Sequence, residues 1–296
     1  MSKYYIGTDI GGTTFSSGLF DDSLKLVKTS QKLNIADFAS GDELILGIAE
    51  QIKSLNEHCG GKIQSAGLAC PGPLDAAEGM ILDTPNLILF QNYPVAEKLE
   101  GQINLPVFIE NDANLFAQGE YAVLRDESIK VLTAITLGTG TGFGLIINGQ
   151  LFTGAHGMGA EYGISPVEWG KWEEGINIKG LEKLSLEMIG TSLSPKYLND
   201  LAREGDKNAL KVWDVYGWRV GLLLSHVINM LDPNIISIGG GISHAFEYFS
   251  GKMVQAVKEF APAYTHYKIR IYESTHKELS AMIGAAALAK KSIGNS

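Results

Sequence analysis

At 296 residues, 45% of them hydrophobic and 19% charged, the chain is long enough for one large core or two, with two favoured, and needs no covalent staples. Its two cysteines, Cys59 and Cys70, form no CxxC pair and cannot build a disulfide framework, so both are expected as packed thiols in a reducing compartment. A formal charge of −9 without a basic run argues against nucleic acid as a partner, no apolar run reaches ~18 residues, and the opening MSKYYIG has no leader pattern, so the chain is expected to be cytoplasmic and off the membrane.

In chain order, Tyr4 to Asp9 reads as a strand, Gly11 and Gly12 as a tight turn, and Phe15 to Phe20 as its hairpin partner. Asp42 is expected to cap a helix whose face is Leu44, Ile45, Ile48, Ile52 and Leu55, with Gly60 and Gly61 stopping it. SAGLACPGP reads as a short buried strand entering a loop. After the β-rich run Val107 to Ile109, Asn111 and Asp112 are cap-type residues that open a helix, which puts Asp112 at a strand-to-helix junction. VLTAITLGTGTGFGLIING repeats the opening pattern of strand, glycine turn and strand. Trp213, Tyr216, Val220, Leu223, Leu224, Val227 and Leu231 recur at helical spacing up to Asp232 and Pro233, and NIISIGGGI is a strand running into a third glycine turn. From Ser280 onward the tail is a helix of small residues suited to close packing. Alternation of strands and helices gives an α/β class, and the repeated strand–turn–strand units imply two related halves.

A glycine turn lets backbone N–H groups converge on phosphate oxygens with no Cβ in the way. One such turn alone reads as a hairpin connector, but three, each abutting a strand, fit a phosphate compound gripped by facing turns. Neither a Walker loop nor a dinucleotide fingerprint is present, since no G-x-x-x-x-G-K-[ST] occurs and these glycines do not open helices. An aspartate at the start of one turn, Asp9, suits Mg²⁺ held through water. Asp112 by itself reads as a helix cap, a position compatible with a general base because backbone donors keep its carboxylate ionised. Glu161 and Glu182 read on their own as surface acids, and the six histidines show no metal spacing.

Together, DIGGTT at 9–14, PGPLD at 71–75, ENDAN at 110–114, LGTGTGFG at 137–144, GMGAEYG at 157–163, LDPNIISIGGGI at 231–242 and IGAAALA at 283–289 resemble the ROK family of bacterial sugar kinases and repressors, in that family's order across nearly the whole chain. The resemblance implies two ribonuclease-H-like domains of the actin-like ATPase fold with a cleft between them. These would be residues 1–115, joined by the C-terminal helix at about 280–296, and residues 116–279. It implies that Asp9, Gly11, Gly12, Thr13 and Thr14 form the first phosphate loop, and Gly138, Thr139, Gly140 and Thr141 the second. Gly239, Gly240 and Gly241 would contact adenosine, Asp112 would be the base, and Asn86, Asn111, Glu161 and Glu182 would bond sugar hydroxyls beside Asp112. The implied activity is ATP- and Mg²⁺-dependent phosphorylation of the 6-hydroxyl of a hexose, glucose first, by a homodimer whose partners are a small sugar and a nucleotide.

Two departures from the family pattern matter. Ile164 stands where the family has histidine, and the following segment lacks the cysteines that bind a structural zinc in many members, so no zinc is expected and the sugar is left open. Thr14 stands where lysine is common. Zinc-free relatives include kinases that use inorganic polyphosphate, which keeps that donor as an alternative, as it does N-acetylhexosamine for the acceptor. A repressor would carry an N-terminal helix-turn-helix extension, whereas this chain begins its first strand by Tyr4. A silent sugar sensor is the remaining non-enzyme reading, disfavoured by the intact Asp9 and Asp112.

Overall fold

A computed structural model describes residues 3–277 and 279–294. The chain divides into two compact units, one of residues 1–126, 151–159 and 278–296 and the other of residues 127–150 and 160–277.

In the first unit β1 (Tyr4–Ile10) and β2 (Thr14–Asp21) form the expected hairpin, with Ile10 opposite Phe15 across the turn. β3 (Leu26–Thr29) and β4 (Leu33–Asn34) both pair with β2. Helix α1 (Gly41–His58) carries the chain to β5 (Ile63–Cys70), which lies parallel to β1. Ser40, not Asp42, caps α1: its extended backbone lets its hydroxyl accept from the Glu43 N–H at 3.2 Å, while the Asp42 carboxylate, one residue into the helix, takes the Tyr93 hydroxyl. The ribbon of β6 (Leu74–Asp75) and β7 (Met80–Ile81) and helix α2 (Val95–Ile103) lead to β8 (Val107–Asn111), parallel to β5. Helix α3 (Asp112–Leu124) follows without a break.

The small-residue tail is the helix Leu279–Gly294 and belongs to this unit. It lies on β1 and β5 at backbone distance, since a Cβ at Gly7 or Gly67 would strike the carbonyls of Met282 or Ala285. It meets α3 the same way, with Gly119 against Ser280 and Gly284 against Leu115. The division of the chain accordingly falls beyond α3 rather than at 115, because α3 is packed on this helix.

The second unit repeats the sheet. β9 (Val131–Leu137) and β10 (Thr141–Ile147) form a hairpin edged by β11 (Gln150–Leu151). The ribbon of β12 (Pro166–Val167) and β13 (Gly170–Lys171) precedes helices α4 (Trp172–Ile176), α5 (Ile178–Ile189), α6 (Pro195–Arg203) and α7 (Lys207–Leu231). β14 (Ile235–Gly239), α8 (Phe246–Phe260), α9 (Pro262–Tyr267) and β15 (Arg270–Glu273) complete it. Strand orders are β3-β2-β1-β5-β8 and β11-β10-β9-β14-β15, each an antiparallel hairpin continued by two parallel strands. Each sheet has its own core, built around Phe15, Ile48 and Phe90 in the first unit and Trp213, Tyr216 and Phe249 in the second.

Candidate active site

In the first unit the sheet register sets the site. Asp9 lies opposite Ala69, Ala69 opposite Glu110 and Cys70 opposite Asn111, so the carboxyl ends of three parallel strands finish level. Open α/β sheets bind their ligands at such ends. Cys70, fully buried there, has its thiol held well above its ordinary pKa by burial first and then by the Asp112, Asp9 and Glu110 carboxylates. Acids from β1, β8 and α3 therefore converge on one neutral thiol.

The Asn111 side chain caps α3, its oxygen accepting from the N–H groups of Ala113 at 3.0 Å and Asn114 at 3.3 Å. That leaves its amide N–H₂ as the group able to donate outward. Asp112 accepts from the Ala113 N–H at 2.8 Å. Beneath them the buried Glu110 accepts from the Asn111 N–H at 2.8 Å and the Asn114 side chain at 3.1 Å, which fixes the first turn of α3 from below. The loop from Gly11 to Thr13 is short and tied, with the Gly11 N–H on the Thr14 carbonyl at 2.9 Å and the Thr13 carbonyl taking the Ile35 N–H at 2.8 Å. A Cβ on Gly12 would stand 2.8 Å from the Asn86 carbonyl, so this turn needs glycine and carries Asn86 beside it.

The second unit assembles the other expected residues. The Gly138 N–H bonds the Gly140 carbonyl at 3.0 Å, and the Gly138 carbonyl takes the Ile178 N–H at the start of α5 at 2.9 Å. Gly240, at φ +85°, packs so closely on Leu137 that a Cβ there would collide with its backbone, which sets the turn Gly239–Gly241 beside the loop Gly138–Thr141. The buried Thr141 hydroxyl has no hydrogen-bond partner within the protein. A cavity of about 590 Å³ opens on Gly241, Ile242, His244, Asn199 and Trp213, and the buried Trp213 indole N–H is also without a partner. The exposed Gly140, Gly240 and Gly241, the orphaned polar atoms and a cavity of that size fit a nucleotide with its phosphates. Asp9, half-buried at the end of β1, fits a water-mediated Mg²⁺ ligand.

Glu161 follows Ala160, whose φ is +67°. Its carboxyl is held above the usual carboxylate range by burial and, second, by the Glu173 carboxylate. Gly163, two residues on, packs against the Thr141 carbonyl. Tyr162 is clamped: its hydroxyl meets His226 Nδ1 of α7 at 2.8 Å, and its ring stands edge-on to Phe143. Trp172 packs on His226 and Trp169 on Trp172, so both tryptophans pack this segment. Glu182 sits half-buried on α5, its carbonyl accepting the Ser185 hydroxyl at 2.7 Å. Sequence reasoning missed Glu110, Glu173 and the cavity residues Asn199 and Trp213. Only Glu110, adjoining the cap Asn111, had a local signal that could have marked it.

A duplicated sheet of this topology, with a glycine turn at its hairpin in each copy, defines an actin-like ATPase fold. The chain belongs to the ROK family, whose sequence pattern matches residues 5–292. It is 30% identical to a glucokinase from Thermotoga maritima over 98% of each chain, and 28% identical to an N-acetyl-D-glucosamine kinase from Histophilus somni over 86% of this chain and 89% of that one. Among solved structures it resembles a ROK family glucokinase from Streptomyces griseus in complex with glucose and AMPPNP, at a TM-score of 0.82 and 24% identity over 97% and 99% of the two chains. These relatives are sugar kinases, and no helix among the described residues is long and apolar enough to cross a membrane.

Proposed function

We propose that the chain transfers the terminal phosphoryl group of ATP to the 6-hydroxyl of a hexose, with glucose as the first candidate. The observation that carries this reading is Asp112 at the first turn of α3, held by the Ala113 N–H in a turn that Glu110 braces through Asn111 and Asn114, at the level where β1, β5 and β8 end. A carboxylate so fixed can take the hydroxyl proton as the oxygen attacks phosphorus, while the barrier falls mainly through positioning and charge neutralisation. The loops Gly11–Thr14 and Gly138–Thr141 hold phosphate oxygens, and the adenosine lies on the turn Gly239–Gly241. Asp9 holds Mg²⁺ through water; when bound, that ion neutralises phosphate charge. Asn86, Asn111, Glu161 and Glu182 bond the remaining hydroxyls, with Asn111 acting as a donor because its oxygen is committed to the helix cap.

N-acetylhexosamine is the second reading. It is supported by the relatives named as N-acetyl-D-glucosamine kinases and by the exposed, apolar Ile164 three residues from Glu161, which suits an acetyl methyl better than a hydroxyl. The test is a coupled ADP-release assay with Mg-ATP against glucose, mannose, fructose, allose, glucosamine, N-acetylglucosamine and N-acetylmannosamine, repeated with polyphosphate as donor. Turnover of glucose above all others supports the first reading, and silence of folded protein on every sugar with both donors overturns it.

A further inference from the structure

A second cavity, of about 410 Å³, opens in the same unit as the nucleotide cavity and shares no lining residue with it. Its floor is the joint between α4 and α5, where Gly175 lies under the Trp169 ring and Gly180 against the Glu174 carbonyl, both too closely for a Cβ. Trp169, 41% exposed, forms one wall, and Arg219 of α7 stands over its ring with the guanidinium carbon 5.6 Å from the centroid. Arg219 gives one N–H to the Gly175 carbonyl at 3.3 Å and has no carboxylate in ion-pair range among the described residues, so its other donors are unmet by the protein. Lys179, exposed on the first turn of α5, also lines the cavity and has no ion pair either. Lys183 completes the set of cations, its ammonium 4.0 Å from Glu187. The other acid at the cavity, Glu174, turns back to the start of α4, 3.4 Å from the Lys171 N–H.

We propose that this cavity is a second ligand site, which takes a small phosphate-bearing anion between Arg219 and the ammonium groups of Lys179 and Lys183. A planar guanidinium fork suits two phosphate oxygens at once, and an ammonium group takes a further oxygen as a point charge. Glu174 and Glu187 limit the ligand to a small one, because an extended polyanion would meet their carboxylates, whereas a single phosphate group held by the cations need not. The exposed face of Trp169 offers the rest of an ester, such as a sugar ring, an apolar surface to lie on. The site also adjoins the anchor of the second phosphate loop. The Ile178 N–H that opens α5 bonds the Gly138 carbonyl at 2.9 Å, and the Asn177 N–H bonds the Glu173 carbonyl at 2.8 Å. An anion that joins α7 to α5 therefore braces the joint from which the loop Gly138–Thr141 is held.

The test is calorimetric titration of the full chain with inorganic phosphate and with glucose 6-phosphate, in saturating Mg-AMPPNP so that the proposed phosphate loops are occupied. Binding is expected with a Kd that weakens as ionic strength rises. Arg219→Gln is expected to weaken it about tenfold, the worth of a hydrogen bond to a charged group, and Arg219→Lys, which keeps the charge and loses the fork, by less. Lys179→Gln, an exposed change that leaves the Arg219 contact with Gly175 in place, is expected to weaken it a few-fold and carries the test if Arg219→Gln fails to fold. Asp112→Asn, at the proposed base, is expected to bind as the parent does. Tighter binding of the ester than of phosphate adds the Trp169 wall to the recognition, and equal binding leaves it to the phosphate group alone; either supports the site. Absence of binding of both compounds at millimolar concentration would overturn it, as would a parental Kd in folded Arg219→Gln and Lys179→Gln. Loss of binding in Asp112→Asn would also overturn it, by putting the anion at the active site.

Discussion

Asp112 and Glu161 are both carboxylates, but their surroundings give them different work. Asp112 is tied to the first turn of α3, and Asp112→Asn is expected to lower kcat by about 10²- to 10⁴-fold at unchanged thermal stability, measured by steady-state kinetics beside circular dichroism. Glu161 has its carboxyl raised by burial and by Glu173, so its folded pKa exceeds its unfolded one. Its ionisation in the folded chain therefore costs stability above that pKa, and the cost disappears as the pH falls through it. Sugar binding runs the opposite way because the ionised form is the acceptor. Sugar affinity is expected to fall on acidification at a pH above the ordinary carboxylate range, and sugar Kd measured against pH should lose that step in Glu161→Gln. Tyr162→Phe removes one hydroxyl from the clamp on His226 and should raise the sugar KM a few-fold, about the worth of one hydrogen bond, while sparing the KM for ATP.

At the scale of elements, what the sequence reveals depends on how far apart the interacting residues lie. The two hairpins, the three glycine turns and the helix opening at Asn111 and Asp112 are legible because each is decided within a few residues by turn chemistry, strand alternation or capping. The cap of α1 is also local, yet it goes to Ser40 because the neighbouring Asp42 has another partner in Tyr93, 51 residues away. The Tyr162–His226 contact spans 64 residues, and the turn of Glu173 toward Gly140 depends on where α4 docks, so neither leaves a mark in spacing. Motif reading likewise names Gly240 without saying why it must be glycine. Its positive φ and its contact with Leu137 give two reasons, and Gly240→Ala is expected to cost about 1–3 kcal/mol in denaturant unfolding and to raise the KM for ATP more than that for sugar.

On the scale of the whole molecule, two sheets with the same strand order carry different parts of the proposed chemistry. The first holds the base and the expected metal ligand, and the second holds the nucleotide cavity and Glu161. Mg-ATP is accordingly expected to raise the melting temperature, by the equivalent of about 2.7 kcal/mol at a hundredfold excess over its Kd, whereas polyphosphate, which cannot fill the cavity at Gly241, should do less. Equal shifts from the two, read by differential scanning fluorimetry, would count against a nucleoside in that cavity.

The helix Leu279–Gly294 has a consequence for how the protein is made. Its backbone fills the face of β1 and β5 at Gly7 and Gly67, so these strands wait for a helix made long after them before their sheet is covered on that side. The second unit, whose residues end at 277, has all its strands sooner. Synthesis order and assembly order thus differ: the glycine face of β1 and β5 is covered only after the strands of the second unit have been made.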